Sequence, residues 1–330
     1  MTNIALLALA FTLAAETADE AAPAAESPAE AIPPPAAASP PPPPPAATQP
    51  AAAAKPAESE IEVLSEVVDL QATEDPTAAW YGASFPAPVR ILALPTARAH
   101  RAGGWELVID HRATTPIYDS SSSQPAADMF NNFLGLDGGI HVGLGFRYGV
   151  IDDLDVGLYR SGTARTDTYE FDARYQFLHQ DKQFVDVAVR AGITWFSQPN
   201  AKDSSGAYGQ LLATRLLANR VLLSAGGFYH SNSTNDTKYN QDKSWSLAFG
   251  GGAEVRVLAP LALDAELVAC TAGYCSKNPA FSAAVKYLTS RHTFAVVCGN
   301  TTYLTADGYI TNTDHPWSKL TIGFNITRSH

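Results

Sequence analysis

The chain has 330 residues, a formal net charge of −11, and a composition that is 46% hydrophobic but only 17% charged. An acidic balance without a basic stripe argues against nucleic-acid binding. No uninterrupted apolar run of about 18 residues follows the N-terminus, so the sequence predicts no membrane-spanning helix.

The N-terminal part is predicted to contain export and linker segments. Residues 1–17 are interpreted as a signal peptide, because an apolar stretch from Ile4 to Ala15 is followed by small residues. The first residues lack Lys and Arg, so a hydrophobic N-terminal helix is the alternative. Residues 18–57 are rich in Ala and Pro, which predicts a disordered or polyproline-type linker. Residues 58–103 are predicted to be a periplasmic lead-in, whose acidic and apolar first part (58–72) is either a short helix or an extended partner-binding peptide.

From residue 104 onward, apolar residues alternate with polar residues or glycine. The alternation is clearest at 138–150, where Ile140, Val142 and Leu144 take every second position. Because a strand points successive side chains to opposite faces, each such segment has one apolar and one polar face. About twelve strands are predicted, roughly at 104–112, 138–150, 153–161, 167–178, 183–197, 207–217, 221–231, 244–258, 261–272, 279–289, 292–303 and 317–328. The register of the strands near 207–231 stays undetermined, because they alternate poorly.

The connections between these strands alternate strictly between short and long. This asymmetry, the aromatic residues near strand ends and the charges in mid-strand are typical of an outer-membrane barrel, in which the apolar face meets lipid. We therefore predict an all-β fold: residues 104–330 form a transmembrane antiparallel up-and-down β-barrel of about twelve strands. An even number of strands places both ends in the periplasm. A soluble sandwich or lipocalin-like binding barrel is the alternative.

The polar face of the predicted strands is rich in charge. Buried charges must be paired, so the structural interpretation is an ion-pair network that fills the barrel. The functional interpretation is a polar channel whose charges select solutes. The predicted lumen-lining residues are Glu106, Asp110, Arg112, Arg147, Asp155, Glu170, Asp172, Arg174, Asp186, Arg190, Glu254, Arg256, Asp264, Glu266, Lys286 and Lys319.

The three cysteines show none of the spacings of zinc or haem sites. Cys270 and Cys275 flank one predicted outer loop and could pair in a disulfide in an oxidising compartment. The alternative is that these two residues and Cys298 are three unpaired thiols. The sequence predicts no catalytic residues, no metal and no cofactor.

Several strand sequences resemble a bacterial outer-membrane β-barrel family described only as a domain of unknown function. The resemblance covers about residues 103–330. It rests on "GGWELVIDHR", "NFLGLDGGIHVGLGFRYGVIDDLDVGLYRS", "TYEFDARYQFL" and "HTFAVVCGNTTYLTADGYITNT", the last followed by "WSKLTIGFNITR". Two departures are Ala295 and Val297, where related sequences look more polar, and the ending Ser329-His330 in place of a terminal aromatic. The resemblance implies an outer-membrane barrel without an established activity.

The expected function is passage of a small polar solute or a structural role in the envelope. The expected partners are outer-membrane lipid, the barrel-assembly machinery and, through the N-terminal segment, peptidoglycan or a periplasmic partner. An enzyme is the minority alternative. His230, followed by Ser231 and Ser233, faintly resembles the His-x-Ser-Asn stretch of outer-membrane phospholipases and lipid A deacylases, although the spacing departs.

Overall fold

The computed structural model describes residues 88–117, 134, 136, 138–162, 167–197, 203–233 and 244–330. The predicted signal peptide, the Ala/Pro-rich linker and residues 58–87 of the lead-in lie outside the described residues. No helix among the described residues is long and apolar enough to cross a membrane.

Twelve antiparallel strands form a closed barrel, which confirms the predicted fold class. Each strand pairs with its neighbours in sequence, and β1 closes the barrel on β12 through pairs from Glu106 with Ser329 to Arg112 with Gly323. The strands are β1 (Trp105–Ala113), β2 (Ile140–Ile151), β3 (Leu154–Gly162), β4 (Asp167–Leu178), β5 (Asp186–Ser197), β6 (Ser204–Leu217), β7 (Val221–His230), β8 (Ser246–Leu258), β9 (Leu261–Gly273), β10 (Ala280–Leu288), β11 (His292–Gly299) and β12 (Thr321–Ser329). A short helix, α1 (Ala306–Tyr309), lies between β11 and β12.

Four connections of two or three residues lie at one end of the barrel, here called the turn end, together with a seven-residue connection between β4 and β5. The other end, the loop end, carries the longer connections and a four-residue one between β3 and β4, so the predicted alternation of lengths is not strict. Ala218 and Asn219, between β6 and β7, both have positive φ, at 47° and 52°. Two such residues are typical of a type I′ turn, whose twist matches that of the flanking strands. The local backbone therefore favours direct hairpin pairing at the turn end.

The alternation of side chains sorts them between the barrel surface and its interior. On β2, Leu144 and Phe146 are 49% and 45% exposed, whereas the intervening glycines are buried. On β4, Glu170, Asp172 and Arg174 are buried. An apolar outer face around a charged interior is the inverse of a soluble domain and suits a lipid environment.

Two parts of the wall differ from the sequence-based expectation. Strand β12 begins at Thr321 rather than near 317, so Lys319 precedes the strand and is half-buried. In β6 and β7, Leu212 and Phe228 are buried and point inward together with polar residues. The alternation was weak there because the inner face is itself partly apolar.

Candidate functional site

The barrel interior is occupied by residues 88–100, here called the inner segment. The segment turns back on itself, since the Ile91 N–H donates to the Leu94 carbonyl at 2.9 Å and the Thr96 N–H donates to the Val89 carbonyl at 3.0 Å. Ile91, Leu92 and Leu94 are at most 2% exposed. The inner segment is thus packed as tightly as a protein core, inside the barrel that follows it in the chain.

The tip of the inner segment is held by charged groups of β9 and β10. The Glu266 carboxylate accepts the backbone N–H groups of residues 92–94, with distances of 2.9 Å to Leu94 and 3.1 Å to Ala93. Lys286 Nζ donates to the Ile91 carbonyl at 2.6 Å. Hydrogen bonds with one ionised partner are about twice as strong as neutral ones, so these contacts fix the tip against the wall.

Arg90 anchors the segment at a second part of the wall, strand β1. Its guanidinium donates two hydrogen bonds of 2.9 Å to the Asp110 carboxylate, and the Tyr159 hydroxyl donates a third at 2.8 Å. Tyr159 fits because β2 presents glycine: a Cβ added at Gly143 would lie 1.9 Å from the Tyr159 hydroxyl, and one at Gly145 would lie 2.5 Å from its ring. The glycine face of β2 therefore makes room for the group that orients Asp110.

The C-terminal end of the inner segment contacts strands β3, β4 and β6, and also the Asp186 carboxylate at the start of β5. The contacts are Arg98 Nε to Asp186 at 2.9 Å, Ala97 N–H to Thr214 Oγ1 at 2.8 Å, Ala99 N–H to Gln176 Oε1 at 3.0 Å and His100 N–H to Asp155 Oδ2 at 2.9 Å. Together with the contacts at β1, β9 and β10, they distribute anchors around the barrel. The inner segment thus bridges the interior rather than lining one side of it.

The loop end is covered by residues 300–316, here called the capping loop, which contains α1. The Ala306 N–H donates to Glu170 Oε1 at 2.5 Å, Gln210 Nε2 donates to the Tyr309 hydroxyl at 2.6 Å, and the Cys270 N–H donates to Asn312 Oδ1 at 2.7 Å. The capping loop, the inner segment and the wall share one apolar cluster. It consists of Ile91, Leu92, Leu94, Ala97, Ala188, Tyr208, Leu212, Phe228, Ala248, Val268, Ala284, Ala295, Val297, Ala306, Tyr309 and Ile310.

A continuous ion-pair network runs along β2 to β5. The alternating partners are Arg174 with Asp155 at 2.5 Å, Asp155 with Arg147 at 2.5 Å, Arg147 with Asp172 at 2.6 Å and Asp172 with Arg190 at 2.7 Å. Arg174 also donates to the carbonyls of Val89 and Thr96 at 2.9 and 3.1 Å. The network is therefore continuous with the inner segment.

A second cluster lies on β8 to β10. Lys286 Nζ is 2.9 Å from Glu254 and 2.5 Å from Asp264, and Arg256 Nε is 3.0 Å from Glu254. All the residues predicted to line the lumen are buried, except Arg147 and Lys319, which are half-buried. The structure gathers them inside the barrel, apart from Lys319, whose position before β12 removes it from the wall.

A cavity of about 70 Å³ remains between the inner segment and the capping loop. Its lining includes Arg90, Tyr159, Glu170, Asp172 and Leu304. At roughly 30 Å³ per molecule, this volume holds about two waters. No group of side chains suited to a metal ion occurs among the described residues. At this place in the lumen, the described residues thus leave room for water rather than for a larger solute.

Burial shifts the pKa values of two titratable groups outside the strands in opposite directions. Burial, and next the positive charge of Arg174, lower the pKa of His100 to about 4. Burial raises the pKa of Asp307, in the capping loop, to about 6. His100 is therefore neutral and Asp307 largely ionised at neutral pH.

The side chain of His230 is committed to partners other than the neighbouring serines. It is fully buried, and its Nδ1 accepts the Asn232 N–H at 3.1 Å. Its Nε2 therefore carries the proton and donates to Thr194 Oγ1 at 2.8 Å. Ser231 Oγ instead accepts the Ala207 N–H at 2.8 Å. The ring thus makes no hydrogen bond to a serine that it would activate as a nucleophile.

Cys270 and Cys275 form a disulfide, which decides between the two alternatives left open by the sequence, and Cys298 remains a free thiol. We expect alkylation of the denatured, unreduced protein to add one label, at Cys298, and alkylation after reduction to add three. Intact-mass measurement checks both numbers. Three labels without reduction would contradict the pairing.

The sequence did not predict the inner segment or the capping loop: residues 58–103 were expected to be a periplasmic lead-in, and residues 304–316 a connection between the last two strands. Neither segment has a hydrophobic periodicity from which its contacts could be predicted. One signal was present: the predicted lumen contained more carboxylates than cations, while Arg90 and Arg98 stood nearby in the lead-in. An excess of buried carboxylates requires cations from elsewhere in the chain.

Comparison with known proteins gives one family and a set of distant structures. The family described as "Membrane bound beta barrel domain (DUF5777)" matches residues 88–330. No curated protein matches. The outer membrane protein Omp33 of Acinetobacter baumannii is 9% identical, with a TM-score of 0.39 over 69% of this chain and 98% of that one. An outer membrane channel from Pseudomonas putida F1 is 10% identical, with a TM-score of 0.45 over 71% and 98%. Outer membrane phospholipase A from Escherichia coli is 9% identical, with a TM-score of 0.37 over 73% and 98%.

Proposed function

We propose, since the chain belongs to the family of membrane-bound β-barrel domains, that it is an outer-membrane barrel whose lumen is closed at rest. In this proposal a small polar solute passes when the inner segment leaves the lumen. The turn end faces the periplasm, and the chain before residue 88 connects the inner segment to a periplasmic or peptidoglycan-bound partner that displaces it.

The main support for the proposal is the polar character of the contacts between the inner segment and the wall. Its anchors are hydrogen bonds and ion pairs to side chains of the wall, chiefly Asp110, Glu266 and Lys286. Polar groups exchange their partners for water at a small net cost, because the net value of such a hydrogen bond is only about 0.5–3 kcal/mol. A segment anchored in this way leaves a hydratable wall behind it.

The wall itself supports passage once the segment is gone. The network from Arg174 to Arg190 is internally paired through Asp155 and Asp172. It therefore keeps its own partners when the inner segment leaves. Charged side chains paired along a wall provide a polar path of the kind that channels use for ions and small solutes.

A structural barrel is the second candidate, and the apolar cluster favours it. Leu92 of the inner segment, Tyr309 of the capping loop and Phe228 of the wall belong to one buried cluster. Burying a side chain of this size contributes about 1.5–3 kcal/mol, so the cluster opposes displacement of the segment. A barrel that never opens would serve the envelope as a scaffold.

The two candidates are separated by replacing residues 89–99 with an equally long run of Gly and Ser in the full-length chain. We expect vesicles that contain this Gly/Ser variant to swell in a small sugar, and vesicles that contain the wild-type protein to stay intact. The matched control is an equal Gly/Ser replacement of residues 70–80, which we expect to behave like the wild type. Heat-modifiable migration on gels verifies that each barrel is folded.

A folded Gly/Ser variant that admits no solute would overturn gated passage and favour the structural barrel. If the variant does not fold, the double variant Arg90→Ala/Arg98→Ala provides the same comparison. It leaves the backbone contacts with Glu266 in place. Swelling by the wild-type protein equal to that of either variant would also contradict closure at rest.

A further inference from the structure

The charges of the barrel wall do not balance without the inner segment. Among the described residues of the strands, nine carboxylates predicted to line the lumen are buried, against five buried cations and the half-buried Arg147. Carboxylates therefore exceed cations by three. This excess of negative charge was counted on the strands alone, without the inner segment.

The inner segment supplies two of the three missing cations, Arg90 and Arg98. Arg90 pairs with Asp110 at 2.9 Å and lies 3.9 Å from Glu106, and Arg98 pairs with Asp186 at 2.9 Å. The Glu266 carboxylate receives no cation from the segment but accepts three of its backbone N–H groups. Four carboxylates thus depend on the segment for a large part of their stabilisation.

Most cations of the wall keep a carboxylate partner in the wall, although Arg174 and Lys286 also donate to backbone carbonyls of the inner segment. Arg147 and Arg190 stay bound to Asp172, and Lys286 stays bound between Glu254 and Asp264. Departure of the inner segment therefore exposes carboxylates on β1, β5 and β9, while Arg147, Arg174, Arg190, Arg256 and Lys286 keep carboxylate partners in the wall. Arg112 donates to Asn325 rather than to a carboxylate. Rings of acidic side chains in a water-filled lumen attract cations and repel anions.

Resting on the proposed gated passage, we infer that the opened lumen selects cations, and that its solutes are small inorganic or organic cations. The selectivity is created by the act of opening, because the same residues that close the lumen neutralise its wall. The same carboxylates bind the inner segment when the barrel is closed and exclude anions when it is open.

The experiment measures the reversal potential of the full-length Gly/Ser variant in planar bilayers under a tenfold KCl gradient. We expect a potential of the sign for K⁺ over Cl⁻, between zero and the ideal value of about 59 mV. In the same background, Glu266→Gln is expected to move the potential towards zero, and Arg112→Gln is expected to move it towards the ideal value. A Gly/Ser segment that keeps Arg90 and Arg98 is expected to reduce the preference.

The outcomes distinguish the inference from the proposed function. A folded variant that carries no current contradicts gated passage itself. A current with zero or anion-type reversal potential, or one that Glu266→Gln leaves unchanged, overturns cation selection while gated passage stands. If the Gly/Ser variant does not fold, Arg90→Ala/Arg98→Ala is measured in its place, because it removes the cations from Glu106, Asp110 and Asp186. In that background Asp110→Asn takes the place of Glu266→Gln, and a zero or anion-type potential, or one that Asp110→Asn leaves unchanged, overturns cation selection.

Discussion

Replacing Arg174 by leucine is expected to lower the free energy of unfolding by about 3 kcal/mol, at the low end of what breaking a buried ion pair costs. Arg174 is 1% exposed and pairs with Asp155 at 2.5 Å. The loss stays at the low end because Arg147 still compensates Asp155. Denaturant unfolding in lipid vesicles, followed by tryptophan fluorescence, measures the change.

The matched control for this variant is an exposed ion pair of the same barrel. Arg160 and Asp167 lie 2.7 Å apart, and their side chains are 46% and 34% exposed. We expect Arg160→Leu to change the free energy of unfolding by less than about 1 kcal/mol. Equal effects of Arg160→Leu and Arg174→Leu would show that the interior network contributes no more than a surface pair.

Acidification from pH 7 to pH 4.5 is expected to loosen the inner segment. The pKa of His100 is about 4 in the docked segment and 6.5 in the free one, and its Nε2 is buried without a hydrogen-bond partner among the described residues. The docked segment therefore binds fewer protons, so its stability is complete above pH 6.5. It is lost as the pH falls towards 4, by about 1.4 kcal/mol for each pH unit.

Labelling of an engineered thiol measures this release. Ala97 is fully buried, so Ala97→Cys in a Cys298→Ser background reports departure of the segment. We expect its labelling by a membrane-impermeant maleimide to rise at pH 4.5 relative to that of the unfolded protein at the same pH. Arg147, Arg174 and Asp155 face His100 and are common to all variants. His100→Gln is therefore expected to weaken the pH response, and an unchanged response in that variant would contradict the account.

The barrel was predictable from sequence because its strands obey a period of two. Alternation places Phe146 outside and Arg147 inside in any register that keeps an apolar face in lipid. The same rule left the register of β6 and β7 undetermined. Leu212 and Phe228 face an apolar cluster formed with the inner segment and the capping loop, so the inner face of these strands mixes apolar with polar residues.

The content of the lumen was not predictable in the same way. The inner segment adopts no regular element, and its anchors join residues far apart in sequence, such as Leu94 with Glu266. Only the balance of buried charges indicates the inner segment, since a buried carboxylate such as Asp110 requires a cation. The capping loop is equally irregular, and its contacts rest on single backbone groups such as the Ala306 N–H.

Closure of the barrel by residues 88–100 is tested by the single-channel current of the Gly/Ser variant before and after addition of a synthetic peptide of these residues. We expect current steps in the variant, no steps in the wild-type protein, and block by the peptide from the side of the turn end. A peptide carrying Arg90→Ala should block more weakly, because it lacks the pair with Asp110. A folded variant without current, or a current that the peptide leaves unchanged, would contradict the claim that residues 88–100 close this barrel.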